Sequence, residues 1–151
     1  RCAATGADGD GWLKGRVHDP RANLLGGVAG HAGLFSTGPD MARYARMVLN
    51  KGELDGARIM SAATLGRMIR PEDVPGGKRA PGWDSRTGYS SQRGAHLSDA
   101  AIGHGGFTGT SMWIDPERDL FIVLLATRLH PDGKGVVNPL FGAVTTALTA
   151  K

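Results

Sequence analysis

The sequence of 151 residues has one cysteine, no apolar run of membrane-spanning length and no block of like charge. The single cysteine, Cys2, excludes a disulfide within the chain and a zinc site built on several cysteines. The longest apolar run, 120–126, has the length of a strand and is far shorter than the ~20 residues that span a bilayer. We therefore expect no membrane span.

The charged residues are scattered along the chain, with 18 basic and 14 acidic side chains and a net charge of +4. The densest basic site, Lys78-Arg79, is only a pair. Surfaces that bind nucleic acid usually concentrate positive charge on one face or in a run. We therefore expect no nucleic-acid partner, and strongly salt-dependent DNA binding would contradict this expectation.

The common motifs of nucleotide, metal and nucleophile sites are missing as well. A dinucleotide fingerprint over 103–108 fails because Thr108 stands where its third glycine belongs, and no Gly-Lys-Ser/Thr P-loop occurs. The five histidines lack i, i+4 spacing and an acidic cluster, so we predict no metal and no cofactor, and interpret His18 and His31 as hydrogen-bonded loop residues. No serine lies in Gly-x-Ser-x-Gly or Ser-x-x-Lys, and no tyrosine lies in Tyr-x-Asn.

Glycine, in contrast, is abundant: the 24 glycines and 8 prolines make up about 21% of the chain, against a usual ~12%. Many of the glycines fall in 26–33 and 103–109. Glycines on a strand leave the backbone bare, so a ligand can approach its N–H groups. His104 adds a side chain that exchanges protons near neutral pH. These residues fit either a ligand-binding strand or a glycine-rich bulge with a hydrogen-bonded histidine.

Periodicity and capping signals predict three helices. Apolar residues at i, i+3, i+4, i+7 and i+8 from Met41 predict a helix over 39–51. Ser61 is the expected N-cap of a short helix over 61–69. A last helix is expected to have Asn138 as its cap and Pro139 as its first residue. The apolar stripe predicted to lie across the sheet consists of Leu140, Val144, Ala147 and Leu148.

The strands are predicted in the last third of the chain. Alternation over 110–114 and the apolar run 120–125, joined by a turn at 115–119, predict an antiparallel hairpin. Residues 1–33 are expected to be extended or looped, and 71–100 to form a long loop. Helices followed by neighbouring antiparallel strands indicate the α+β class.

Two stretches are specific enough to indicate a family. Residues 26–37 (GGVAGHAGLFST), with the helix that follows, and residues 103–117 (GHGGFTGTSMWIDPE) resemble serine hydrolases related to class C β-lactamases, penicillin-binding proteins and D-alanyl-D-alanine peptidases, including esterase members. Residues 2–5 and 17–20 also look like that family, so the resemblance covers nearly the whole chain.

The resemblance implies part of the β-lactamase/transpeptidase-like fold, in which antiparallel strands carry a C-terminal helix packed on the sheet beside a helical region. It divides the chain into three parts. Residues 1–70 would end the helical region, 71–100 would form a connecting loop, and 101–151 would contribute the C-terminal strands and the terminal helix of the α/β domain.

The resemblance also implies roles for four consecutive residues. His104-Gly105-Gly106 matches, in its His form, the Lys/His-Thr/Ser-Gly triplet that lines the family's catalytic cleft. Gly105 departs from the pattern because it has no hydroxyl for a substrate carboxylate. By position, Phe107 would supply a backbone N–H to an oxyanion hole. The predicted catalytic residues are therefore His104 and Phe107, with Gly105 and Gly106 binding substrate.

The family's remaining motifs, Ser-x-x-Lys and Tyr-x-Asn, precede the glycine-rich segment 26–31 in its members and are absent from this sequence. We therefore expect the chain to be the C-terminal part of a serine hydrolase that cleaves an ester or amide through an acyl-enzyme, and to be inactive alone. Its expected partners are a small ester, amide or peptide substrate and the missing N-terminal segment. The alternative is a non-catalytic ligand- or partner-binding module of the same ancestry.

Overall fold

A six-stranded antiparallel sheet lies at the centre of the molecule, whose computed structural model describes residues 2–130 and 132–150. The helices are α1 (Pro20–Leu24), α2 (Gly38–Leu49), α3 (Ala62–Ile69) and α4 (Asn138–Thr149). The strands are β1 (Ala4–Asp8), β2 (Gly11–Lys14), β3 (Glu53–Leu54), β4 (Ala57–Arg58), β5 (Glu72–Val74), β6 (Gly77–Ala80), β7 (Trp83–Arg86), β8 (Ile102–Gly105), β9 (Thr110–Asp115) and β10 (Leu120–Leu125). A 3₁₀ turn spans Ser90–Gln92. The α+β class is confirmed; the outer bounds predicted at residues 1 and 151 lie outside the described residues.

The strand order in the central sheet is β10-β9-β8-β7-β6-β5, and every neighbouring pair is antiparallel. Strand β8 therefore lies inside the sheet, with His104 opposite Met112 on β9. The predicted hairpin of β9 and β10 is confirmed, and Asp115 pairs with Leu120 across its turn. The glycine-rich end of β8 is therefore held by β9, which pairs with it as far as Gly105, whereas β7 pairs with β8 only at Gly103.

Apolar side chains cover both faces of the sheet. Successive side chains of a strand point to opposite faces, so Trp113 and Ile114 of β9 enter different clusters. Ile114 is fully buried in the cluster that includes Ala45 and Val48 of α2, so this part of the predicted apolar stripe is confirmed. Tyr44 of the stripe is exposed, and Met47, which lies outside the stripe, is buried. Trp113 packs in a second cluster with Leu97 and Ala101. The sheet is thus fixed from two sides, which keeps β8 in place.

The first residues of α2 and α3 follow side-chain caps. The Asp40 N–H donates to the Thr37 hydroxyl at 3.2 Å, and the Thr64 N–H donates to the Ser61 hydroxyl at 3.1 Å. Such caps satisfy backbone donors that a helix leaves unpaired in its first turn. Both helices are confirmed, with α2 ending two residues before the predicted 39–51 helix does.

The prediction of a loop over 71–100 is wrong, because β5, β6 and β7 lie there and belong to the central sheet. These strands are three or four residues long, and all of β5 is exposed. Their sequences therefore lack the apolar alternation from which a strand is predicted. Ser85 of β7 is buried because its hydroxyl donates to the Ala101 carbonyl at 2.8 Å. Residues 1–33 also contain the β1–β2 hairpin and α1, which local sequence pattern does not reveal. Tertiary pairing makes these segments regular.

Helix α4 is confirmed, but its cap and its buried face differ from the prediction. Its N-cap is Val137, which makes no side-chain cap, and Asn138 is the first helical residue. The buried residues are Phe141, Gly142, Thr145 and Thr149, whereas Leu140 and Leu148 are exposed. The reason is docking on the 3₁₀ segment: a Cβ on Gly142 would lie 2.4 Å from the Ser91 carbonyl oxygen. Contact with that backbone orients the helix more strongly than its leucines do.

Gly103 tests how tightly β8 and β9 pack. A Cβ at this position would lie 2.3 Å from Cδ2 of Trp113 and 2.4 Å from the Met112 carbonyl oxygen. Since a strand backbone cannot retreat cheaply, Gly103→Ala is expected to lower the free energy of unfolding by about 1–3 kcal/mol in urea titrations. Gly105→Ala should lower the free energy of unfolding by less than Gly103→Ala does, because its Cβ meets only the end of the Gln92 side chain. Gly88→Ala, with open space around it, is the control, and equal stability of the Gly103 and Gly88 variants would contradict the packing argument.

Candidate functional site

Strand β8 ends in a tight turn that exposes Phe107. The Gly106 N–H donates to the Thr110 carbonyl, and the Gly109 N–H returns to the Gly106 carbonyl at 3.1 Å. Gly109 has φ +112°, a conformation that side-chain-bearing residues rarely adopt. Phe107 occupies the second position of this turn and is 67% exposed. The glycines therefore form a turn that presents the Phe107 backbone and ring to solvent.

The Phe107 N–H is a free donor: it has no acceptor among the residues that the structure describes. The Phe107 ring is contacted by two side chains. His18 stacks on it with 5.6 Å between ring centroids, and the Arg128 guanidinium carbon lies 4.7 Å from its centroid. Arg128 is itself held by the Gly135 carbonyl, which accepts from Nε at 2.9 Å. These contacts fix the position of Phe107 although most of its surface is exposed.

His104, the third residue of β8, has an exposed side chain. Its Nδ1 lies 2.8 Å from the Gly105 carbonyl oxygen. A carbonyl only accepts, so Nδ1 carries the proton, and Nε2 of the neutral ring is left as a proton acceptor. The sequence analysis left open whether His104 is hydrogen-bonded within the protein or free for a ligand. In the structure Nδ1 is hydrogen-bonded, and Nε2 remains available for a ligand.

The missing side chain of Gly105 is replaced in space by Gln92. A Cβ on Gly105 would lie 2.0 Å from Nε2 of Gln92, so the carboxamide fills the room that a threonine or serine side chain would need. Gln92 is 4% exposed, and its Oε1 has no hydrogen-bond partner among the described residues. Sequence reasoning missed Gln92 because the 3₁₀ turn that places it here carries no motif.

Three open grooves meet at Gly106 and Phe107, which line all of them. The Arg128 groove, of about 560 Å³, is lined from residues 88–92, 104–107 and 135–138 and by Arg128. The His18 groove, of about 530 Å³, is lined from residues 17–20, 31–35 and 106–108 and by Thr5. The Met112 groove, of about 550 Å³, is lined from residues 104–107 and 110–112 and by His31, Leu34, Ser36, Met41, Trp83, Val123 and Leu125. The four predicted site residues, His104 to Phe107, thus lie where ligand-sized space converges.

A hydrogen-bonded pair that the sequence does not single out lies beside the same turn. Asp19 Oδ1 accepts from the Ala22 N–H and from His31 Nε2, both at 2.8 Å. The Ala22 N–H, followed by His31, holds the pKa of the Asp19 carboxyl below its usual value, so this group is ionised at neutral pH. His31 is hydrogen-bonded, as the sequence predicts. Its partner, twelve residues away, could be found only from the fold.

The described residues were compared with the requirements of a membrane span and of a metal site. Within residues 2–130 and 132–150, no helix has the length and apolarity needed to cross a bilayer. The same part of the chain holds no group of three or more His, Cys, Asp or Glu side chains arranged to bind a metal ion.

Comparison with known proteins matches most of the chain. A family model described as Beta-lactamase matches residues 2–147. An N-acetylmuramyl-L-alanine amidase of Bacillus subtilis is 39% identical over 122 residues, which are 78% of this chain and 27% of that protein. A putative D-alanyl-D-alanine carboxypeptidase of Salmonella paratyphi B is 38% identical over 133 residues, 84% of this chain and 30% of that protein. The crystal structure of a family VIII carboxylesterase aligns with a TM-score of 0.47 and 22% identity, over 82% of this chain and 37% of that one. The chain spans less than a third of the length of these two curated relatives.

Proposed function

The chain belongs to the β-lactamase family of serine hydrolases, and we propose that it forms the part of such an enzyme that binds the reacting carbonyl of an ester or amide. The observation that carries the proposal is the free Phe107 N–H on an exposed, glycine-lined turn. When a nucleophile attacks a carbonyl, negative charge develops on its oxygen. A fixed N–H donor stabilises that charge most when the donor needs no reorganisation.

The residues around Phe107 have complementary roles in this proposal. Gly105 and Gly106 line the Arg128 and Met112 grooves, where a substrate carbonyl meets their backbone, while Gln92 and the Thr110 hydroxyl fill the space that a side chain on each glycine would need. His104 Nε2, which carries no proton when Nδ1 donates to the Gly105 carbonyl, accepts a hydrogen bond from the substrate. Gln92, which occupies the space beside Gly105, leaves no room there for a hydroxyl that would bind a substrate carboxylate. The proposed substrate is therefore a small ester, amide or peptide that binds through its carbonyl.

The nucleophile and its base are not in this chain, because no Ser-x-x-Lys or Tyr-x-Asn occurs in its sequence. The chain also spans only 27–30% of the amidase and the carboxypeptidase that it matches. Both observations support the proposal that an N-terminal segment supplies these two motifs. In this proposal, the turn that presents the Phe107 N–H and the His104 side chain serve an acyl-enzyme reaction that the chain cannot carry out alone.

The test compares this chain with the longest natural polypeptide that contains it. With nitrocefin and a short p-nitrophenyl ester, we expect turnover by the longer polypeptide and none by the 151-residue chain. Turnover by the chain alone that survives repurification and disappears in one of its own serine variants would overturn the proposal. If the longer polypeptide contains neither motif and hydrolyses neither probe, the non-catalytic binding module becomes the better description.

A further inference from the structure

The His18 groove is lined by a set of apolar side chains and by the hydrogen-bonded pair of Asp19 and His31. The apolar side chains come from three separate segments and include Val17, Leu34, Phe35 and Phe107. Leu34 is 88% exposed and Phe35 is 44% exposed, which is unusual for large side chains that converge on one concave surface. These apolar side chains fit an aliphatic or aromatic group of a ligand.

The Asp19–His31 pair presents hydrogen-bond acceptors to the groove. His31 Nε2 donates to Asp19, so Nδ1 of the neutral His31 ring carries no proton and accepts. Asp19 Oδ1 accepts from the Ala22 N–H and from His31 Nε2, and the Arg21 backbone N–H also interacts with the Asp19 carboxylate. No lysine or arginine lies among the described residues that line the groove. The His31 acceptor and the negative charge of Asp19 favour an N–H donor beside this pair and repel a carboxylate there.

We propose that the His18 groove is a binding subsite for an apolar group that carries an uncharged amide, and that the Asp19–His31 pair makes it select against a carboxylate. Gly106 and Phe107 line both this groove and the Arg128 and Met112 grooves. A substrate whose carbonyl is held at the Phe107 N–H would thus extend its next apolar residue into the His18 groove. That last step rests on the proposed function, whereas amide binding in the groove does not.

The test uses two probes that differ in one group, N-acetyl-L-leucine amide and N-acetyl-L-leucine. In a nitrogen-15-labelled sample of the chain, the amide is expected to shift the resonances of residues 17–20 and 31–35 and to bind about two- to fivefold more tightly than the acid. The free chain is expected to show His31 protonated at Nε2, which the imidazole nitrogen shifts report directly.

Asp19→Asn removes the charge and keeps an oxygen that can cap α1 at the Ala22 N–H. The preference for amide over acid should then fall to about one, since the repulsion of the carboxylate is removed. Asp99→Asn is the matched control: it removes the same charge from an exposed ion pair with Arg86, outside the groove, and should leave the preference unchanged.

Equal binding of the two probes by the unchanged chain, or no shift in residues 17–20 and 31–35 with either probe, would overturn the inference. Selective amide binding with no ester or lactam turnover by the longer polypeptide would support the subsite and count against the proposed hydrolase. The two proposals therefore fail on different measurements.

Discussion

Replacement of Phe107 by proline is expected to lower kcat/KM of the longest natural polypeptide containing this chain by about 10²–10³-fold, the usual cost of losing one oxyanion donor. Proline has no backbone N–H, and this N–H forms no other hydrogen bond within the described part of the chain. Phe107 is the second residue of the turn closed by the Gly109 N–H and the Gly106 carbonyl. Proline is favoured at that position of a β-turn, so the turn should persist.

The control is Phe107→Leu, which keeps the N–H and most of the side-chain volume. The leucine variant shows how much kcat/KM falls when only the ring contacts with His18 and Arg128 are lost. We expect the leucine variant to retain most of kcat, with the change mainly in KM, because the ring lines the grooves whereas the proposed function assigns the reacting oxygen to the N–H. Proline and leucine variants with the same kcat/KM would remove Phe107 N–H from the mechanism.

Asp115→Ala is expected to be the most damaging single change to stability. Asp115 is fully buried, and its carboxylate accepts from the Ser98 N–H at 2.7 Å, the Ser98 hydroxyl at 2.6 Å and the Glu117 N–H at 3.1 Å. Alanine leaves these three donors without an acceptor, at a cost of about 1–3 kcal/mol for each one that stays buried. We therefore expect the free energy of unfolding to fall by roughly 3 kcal/mol or more in urea titrations.

Asp99→Ala provides the matched comparison for Asp115. Its carboxylate is 83% exposed and pairs with Arg86 at 2.8 Å, an ion pair of a kind that contributes at most about 1 kcal/mol. The free energy of unfolding of Asp115→Asn should lie between those of the two alanine variants, because the asparagine amide retains one acceptor oxygen. If Asp115→Ala were no less stable than Asp99→Ala, the Asp115 hydrogen bonds would not hold the β9–β10 turn.

The family and the longer helices could be predicted from the sequence for local reasons. Helix α2 has a strong apolar period with caps at its start, and the β9–β10 hairpin joins two β-forming runs through a short turn. Family membership follows from contiguous motifs, since GHGGFTGTS over 103–111 keeps its residue types within a single stretch. The helix and the hairpin each depend on residues within one short stretch, where the spacing of apolar residues carries the physics, whereas the family was indicated by resemblance to known motifs.

The remaining features depend on partners that are distant in sequence. Strands β5 to β7 are too short and too polar to be seen as strands, and exist because each pairs with a neighbour. The buried face of α4 was mispredicted because contact with the backbone of Ser91 orients that helix. Neither outcome follows from the helix or strand propensity of the segment itself, because tertiary packing overrides weak local preference.

The sequence by itself determined which residues the candidate site contains, the run His104-Gly105-Gly106-Phe107, and that no Ser-x-x-Lys or Tyr-x-Asn motif accompanies them. Only the tertiary structure decided what surrounds that run. It placed Gln92 in the space beside Gly105 and brought Asp19 to His31 in the lining of the His18 groove. The physical reason is that side-chain identity and turn chemistry are local, whereas hydrogen-bond partners and groove walls come from segments that meet only when the chain packs.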